Sequence, residues 1–301
     1  MKRRFGRRTV ELTHPDRVLF TDAGLTKADL VDYYEAVAEP FLRAVRDRPL
    51  TLRCFPDGID HEGFHRQQPD DAFPDWIRTA RRARAEGGGT IDRLLCGSRA
   101  ELAFLVNQNA VEFHCGLARA PRLDRCDRLV FDLDPPGNDF EAVREAARLV
   151  LAPLEQAGIP AGLMTTGSRG LHVTIPLRPE HDHDRVRALA RAFAERLTDA
   201  HPDRLTVAAR KAQRGGRLYL DVMRIALGQT GVAPYSLRAK PGAPVATPIT
   251  REELDDPALH AQRWHQASIG ERLARRGDPW KGLHRHAVRL ASLERALGLA
   301  S

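Results

Sequence analysis

Lysine is scarce in this 301-residue chain, and cysteine is scarcer. Only five of the 47 cationic side chains are lysine: Lys2, Lys27, Lys211, Lys240 and Lys281. So strong a preference for arginine fits a biased coding composition, and it singles out each lysine that remains. The four cysteines, Cys54, Cys96, Cys115 and Cys126, form no C-x-x-C pair and are too few to staple a chain of this length. They read as reduced core or surface residues. No apolar run reaches the roughly 18 residues that a bilayer span needs. The basic start, Lys2, Arg3, Arg4, Arg7 and Arg8, leads into a polar segment and not into the apolar block of a signal peptide. A cytoplasmic protein without membrane contact is expected. Internal repeats and long flexible linkers are also missing.

What is present is an ordinary globular composition, 42% hydrophobic and 29% charged, with a mean hydropathy of −0.42. The net charge is +7 and the isoelectric point about 9.6, a balance that favours a polyanionic partner such as nucleic acid or nucleotide phosphates. Thr26 and Asp29 form a capping-box pattern ahead of Leu30, Tyr33, Tyr34 and Val37, which places Lys27 in the first turn of a helix. A strand is predicted over 50–55, a helix over 92–106 and a strand end at 110–114. The cationic run 78–84 leads to Gly87-Gly88-Gly89 and reads as a mobile hairpin tip or loop. Beyond it, strands at 128–134, 162–166, 171–175 and 217–223 alternate with helices at 140–157 and 185–198, followed by a helix at 283–297. The pattern is that of a layered α/β or α+β domain.

In Leu129-Val130-Phe131-Asp132-Leu133-Asp134-Pro135, the period of two turns Phe131 and Leu133 toward a core and puts Asp132 and Asp134 on the opposite face. Two carboxylates held so close repel unless a cation compensates them. The pair reads either as a divalent-metal site or as a loop cap or surface ion pair. Asp221, flanked by Leu220 and Val222 on a second apolar strand, would complete a three-carboxylate site if the two strands are neighbours. The segment Thr165-Thr166-Gly167-Ser168-Arg169-Gly170-Leu171-His172 offers hydroxyls, glycines and a guanidinium to a phosphate; a plain hairpin turn explains its glycines equally well. It is not a Walker loop, because G-K-[S/T] is missing and a strand follows it. Arg210, Lys211, Arg214 and Arg217 form a basic cluster that suits either phosphate or solvent. His114 and His172, at strand ends, suit either a core imidazole or a functional one.

Together these segments resemble the polymerase domain of bacterial DNA ligase D, a branch of the archaeo-eukaryotic primase superfamily. The matching text includes Thr13-His14-Pro15-Asp16-Arg17, Leu25-Thr26-Lys27, Arg48-Pro49-Leu50-Thr51-Leu52-Arg53, Phe73-Pro74-Asp75-Trp76, Val111-Glu112-Phe113-His114, the Asp132 and Thr166–His172 segments, Arg217 to Asp221, and Ala233-Pro234-Tyr235-Ser236-Leu237-Arg238. It runs in family order over about residues 9–283. The resemblance implies a primase-polymerase fold, with a central mostly antiparallel sheet flanked by helices. It divides the chain into a basic N-terminal extension (1–8), the domain (9–283) and a C-terminal helix (284–301).

The implied activity is template-directed addition of ribo- or deoxyribonucleotides to a primer 3′-hydroxyl at gaps or broken DNA ends, in non-homologous end joining. Asp132, Asp134 and Asp221 would be the catalytic residues and would ligate two divalent ions, Mn²⁺ or Mg²⁺. Arg53, His114, Thr166, Ser168, Arg169, His172, Lys211, Arg214 and Arg238 would bind the incoming nucleotide. His14, Arg17 and Lys27 would bind the downstream 5′-phosphate, helped by free amides at the helix start, and Phe64 would stack on the template base. A Ku-type end-binding protein is an implied partner. The chain is expected to end with the polymerase domain, so a separate DNA ligase would have to come from another polypeptide.

Several positions depart from the family pattern. Arg169 stands for the phosphate-loop lysine, and His65 for the second stacking aromatic. Arg224-Ile225-Ala226-Leu227 replaces an asparagine- and basic-containing stretch, and the loop over 81–89 differs, which bears on synapsis of two DNA ends. Two other readings remain: a nucleic-acid-binding module with a degenerate polymerase site, and a haloacid-dehalogenase-type phosphatase. The phosphatase motif needs Thr or Val where Pro136 stands.

Overall fold

A computed structural model describes residues 1–83 and 88–300, with Ala83 described by its backbone alone. The chain forms two compact units, each assembled from three segments. The first comprises Met1–Pro121, Thr230–Thr247 and Trp264–Asp278, and the second Arg122–Gln229, Pro248–Arg263 and Pro279–Ser301.

The first unit is built on a four-stranded sheet, whose strands in spatial order are Gly231–Val232, Ala110–Cys115, Leu50–Cys54 and Phe64–Arg66. Val111 and Phe113 are buried, as are Leu50 and Leu52 on the neighbouring strand. Tyr34, Phe41 and Phe113 pack edge to face with ring centroids 4.9–5.5 Å apart. The Tyr34 hydroxyl donates to the Val111 carbonyl at 2.7 Å, tying the helix Lys27–Ala36 to the strand Ala110–Cys115. That helix starts as expected: Thr26 Oγ1 accepts from the Asp29 amide while the Asp29 carboxylate accepts from the Thr26 amide.

The second unit carries five strands of a six-stranded sheet, in the order Leu205–Thr206, Leu218–Asp221, Arg128–Asp134, Leu171–Pro176 and Gly162–Thr165; the sixth strand, Thr247–Ile249, follows Gly162–Thr165 and contains the Thr247/Pro248 division between segments. The three strands around Arg128–Asp134 and their neighbour Gly162–Thr165 pair antiparallel, and Leu205–Thr206 pairs parallel. Helices Phe140–Gln156 and His183–Ala200 pack on this sheet, each opened by an aspartate cap, Asp139 and Asp182. Phe131 meets Phe193 edge to face at 5.6 Å. The mixed α/β class and the mostly antiparallel central sheet are as predicted.

Two predicted helices differ. In place of one helix over 92–106, the strand Thr90–Leu94 pairs with Thr79–Ala83, and Ser98 then caps a shorter helix, Arg99–Asn107. The cationic run expected as a mobile hairpin tip or loop is instead mostly strand, Thr79–Ala83, drawn into antiparallel pairing with Thr90–Leu94, and residues 84–87 of that expectation lie outside the described residues. The helix over 283–297 is broken in the middle. Val288 bridges Leu177, and its amide donates to the Pro176 carbonyl at 3.0 Å, which leaves a 3₁₀ turn at Leu283–His286 and a helix at Leu290–Ala296. No described helix is long and apolar enough to cross a membrane.

Candidate active site

Strand register assembles the acidic constellation. Asp132 is the cross-strand partner of Asp221, and Asp134 lies opposite Tyr219. The flanking Phe131 and Leu133 are buried, and so is Leu220, so period-two alternation turns the three carboxylates to one face of two neighbouring interior strands. On the other side, His172 is the partner of Asp132, and its Nε2 stands 3.5 Å from Asp132 Oδ1.

The turn Thr166–Gly170 joins two antiparallel strands, and its hydroxyl is spent on the turn itself. Thr166 Oγ1 donates to the Gly170 carbonyl and accepts from the Ser168 and Gly170 amides. Gly170 has to be glycine: a Cβ there would lie 2.1 Å from the Leu133 carbonyl oxygen. This close approach delivers Arg169 to Asp134, with Nη2 3.2 Å from Oδ1. From the basic cluster, Arg214 reaches Asp134 Oδ2 at 2.9 Å and stacks over the Tyr219 ring, 4.2 Å from its centroid. Arg210 and Lys211 are exposed.

Charge is distributed unevenly over the trio. Burial opposes ionisation of Asp132, yet His172 and then Arg224 hold its carboxyl below the ordinary value. Asp221 goes the other way: burial raises it, the Met223 amide pulls it back, and the like charge of Asp132 raises it again. Burial, with Asp221 second, pushes the Tyr219 phenol up to about 12, which keeps it a donor to Asp221 Oδ1 at 3.2 Å.

Among the described residues no three His, Cys, Asp or Glu side chains form a ready metal cage. Both oxygens of Asp134 are engaged by guanidinium groups, Oδ1 by Arg169 and Oδ2 by Arg214. The pair Asp132 and Asp221 nevertheless fits a hard divalent ion, because both carboxylates already converge on one cation, the Arg224 guanidinium.

The other predicted residues form groups of their own in the first unit. Arg53 lies opposite Glu112 in register, and around the buried Glu112 carboxylate gather His114 Nε2 at 3.0 Å, Arg238 Nε at 3.4 Å, Arg53 Nη1 at 3.7 Å and the Ala239 amide at 2.8 Å. Burial opposes its charge, but His114 and Arg238 outweigh it and hold the carboxyl at about 2. Glu112 was not among the residues singled out from sequence. A carboxylate alternating with Val111 and Phe113 in an apolar strand is the signal that marks it.

The segment around His14 folds onto the helix start. The Arg17 carbonyl accepts from the Lys27 amide, the Pro15 carbonyl from Ala28, and Thr26 Oγ1 from Asp29. The first-turn amides expected to be free for an anion are therefore engaged. Lys27 is buried, with Nζ 3.1 Å from the Asn107 carbonyl, and burial followed by the Arg17 charge lowers it to about 8. Phe64 is exposed on its strand, with the Arg66 guanidinium 5.6 Å from the ring centroid. The four cysteines are buried, as core residues.

The fold and site define a mixed α/β protein with an acidic centre on two neighbouring strands held among arginines, an arrangement suited to metal-bound phosphates. Residues 26–280 match the family model for the LigD primase-polymerase domain, and the chain belongs to that family. It is 32% identical over 302 residues to the multifunctional non-homologous end joining protein LigD of Pseudomonas aeruginosa, covering 96% of this chain and 34% of that protein. Against the LigD of Mycobacterium tuberculosis it is 35% identical over 278 residues, covering 89% of this chain and 36% of that protein. The chain thus spans about a third of the length of these curated relatives. Its structure is similar to that of the polymerase domain from Mycobacterium tuberculosis ligase D in complex with DNA, with a TM-score of 0.85 and 35% identity, over 92% of this chain and 99% of that one.

Proposed function

We propose that this chain is a template-directed nucleotidyltransferase that adds ribo- or deoxyribonucleotides to a primer 3′-hydroxyl at gaps and broken ends of DNA, in non-homologous end joining. The observation that carries this is the register pairing of Asp132 with Asp221, with Asp134 two residues further along the same strand. Two divalent ions, Mn²⁺ or Mg²⁺, held by these carboxylates would lower the pKa of the 3′-hydroxyl and stabilise charge on the attacking and leaving oxygens.

The protein's own groups do the rest. His172 engages one oxygen of Asp132, and Tyr219 with the Met223 amide engages one oxygen of Asp221, so that the second oxygen of each is turned to the Arg224 guanidinium. Arg169 and Arg214 hold Asp134 and are the cations that a triphosphate would draw away from it, with Lys211 as a further phosphate contact. Thr166 shapes the turn, Ser168 contributes to the phosphate grip, and Arg53, His114 and Arg238 contact the nucleotide. Phe64 stacks on a template base, and His14, Arg17 and Lys27 contact the downstream 5′-phosphate. A Ku-type end-binding protein and a DNA ligase are the partners of this activity, which takes place in the cytoplasm at the nucleoid.

One observation favours a second reading. The arginines on Asp134 suit a module that binds nucleic acid without catalysis. Incubation with Mn²⁺, ribonucleotides and a 5′-phosphorylated gapped duplex separates the two. Primer extension by the wild type that disappears in Asp132→Ala is expected. Duplex binding without extension would establish the binding module, and phosphate release without DNA would establish the phosphatase.

A further inference from the structure

The two inner carboxylates each have one oxygen engaged by a partner of their own. Asp132 Oδ1 faces His172, and Asp221 Oδ1 accepts from the Tyr219 hydroxyl and from the Met223 amide at 2.7 Å. The remaining oxygens converge on a single group. Arg224 Nε lies 3.6 Å from Asp132 Oδ2 and 3.8 Å from Asp221 Oδ2. Two facing carboxylates need positive charge between them, and here a side chain of the same polypeptide supplies it.

The setting lets that side chain leave without disturbing the backbone. Arg224 lies in the 3₁₀ turn Met223–Ile225, directly after the strand that carries Asp221. Ile225 is fully buried, and its carbonyl is bonded to the ring of buried His183 at 2.7 Å, so the turn is anchored. The Arg224 side chain itself is 46% exposed. Its distances to the carboxylates exceed those of a short charge-assisted hydrogen bond, and a half-exposed ion pair of this kind is weak. A divalent ion binding carboxylate oxygens at about 2.0–2.6 Å would outcompete it for the same oxygens.

We propose that Arg224 is the internal counter-ion of this site: it bridges Asp132 and Asp221 in the free protein, and a divalent cation enters by displacing it. Arg224 therefore tunes metal affinity as a positioning residue, and it is itself neither a metal ligand nor a reacting group. The proposal rests on the metal-dependent reading given above, and its test separates the two.

The test is direct titration of Mn²⁺ by calorimetry and by the loss of the free-ion paramagnetic resonance signal, with neither nucleotide nor DNA present. Arg224→Gln removes the competing charge and is expected to bind Mn²⁺ on the order of tenfold more tightly than wild type. Mn²⁺ should also raise the unfolding temperature of Arg224→Gln by more than it raises that of the wild type. Arg224→Lys, which keeps the charge, should stay near wild type, and adding Asp132→Asn to Arg224→Gln should abolish the gain. Binding by Arg224→Gln where the wild type binds too weakly to detect also supports the proposal. Unchanged or weaker binding by Arg224→Gln beside a wild type that does bind would overturn it. Absence of Mn²⁺ binding in both proteins would overturn the metal-dependent reading itself.

Discussion

Glu112 shows how one buried charge can organise several others. Its carboxylate is held by His114, Arg238, Arg53 and the Ala239 amide, and each of those three side chains is a proposed nucleotide contact. The carboxyl is held at about 2 against an ordinary value of 4.5. A depressed acid contributes stability that is whole above pH 4.5 and is lost as the pH falls toward 2; the interval corresponds to ~3 kcal/mol. Denaturant unfolding should therefore find Glu112→Gln less stable than wild type at pH 7, with the difference shrinking between pH 4.5 and 2. A pH-independent difference would mean that the carboxylate acts by packing alone.

Lys27 offers a second titration. Burial lowers its ammonium to about 8, with Arg17 adding to the shift, so a bound phosphate has to be met by the protonated form. The preference for a 5′-phosphorylated over a 5′-hydroxyl gapped duplex should accordingly decline as the pH rises through 8, and Lys27→Met should lose both the preference and its pH dependence. A wild-type preference that stays constant across this range would remove Lys27 from the phosphate contact.

Among the elements, the turn Thr166–Gly170 is the most constrained, because it has to pass against the strand that carries the acids. Gly170→Ala would drive a Cβ into the Leu133 carbonyl, and a backbone atom cannot move aside as a flexible side chain can. Thermal unfolding should show a loss on the order of 2–4 kcal/mol, within the range of strained or overpacked positions. Unfolding at the wild-type temperature would show that the turn relaxes freely.

Elements whose periodicity reflects their own burial were legible in the sequence. Leu129, Phe131 and Leu133 alternate with Asp132 and Asp134, and the strand begins and ends within a residue of its predicted limits. The capping box at Thr26 and Asp29 is equally local. Where a distant strand decides, the pattern misled. Ile91, Leu94 and Leu95 fall at helical spacing, yet pairing with Thr79–Ala83 makes Thr90–Leu94 a strand. Val288 leaves a helix-like pattern to join Leu177. The neighbouring placement of Asp132 and Asp221 could be anticipated from two apolar strands that each carry an acid. The guanidinium groups on those acids could not, because the direction of a long arginine is set by tertiary contacts and not by sequence spacing.

At the scale of the whole molecule, the polypeptide builds each unit from three separate segments. This explains why no linker is visible along the sequence: the chain passes from one unit to the other several times, once within the strand Thr247–Ile249. The net charge of +7 suits a polyanionic substrate, and it also conceals an acidic centre neutralised from within by Arg169, Arg214 and Arg224. The central claim is that this centre performs nucleotidyl transfer in the manner of the primase-polymerase family to which the chain belongs. Single-turnover incorporation of one ribonucleotide into a 5′-phosphorylated gapped duplex with Mn²⁺ tests it most directly, comparing wild type with Asp221→Asn. Asp221→Asn is expected to retain duplex binding and to lose on the order of a thousandfold or more in rate. Equal rates in the two proteins would contradict the account.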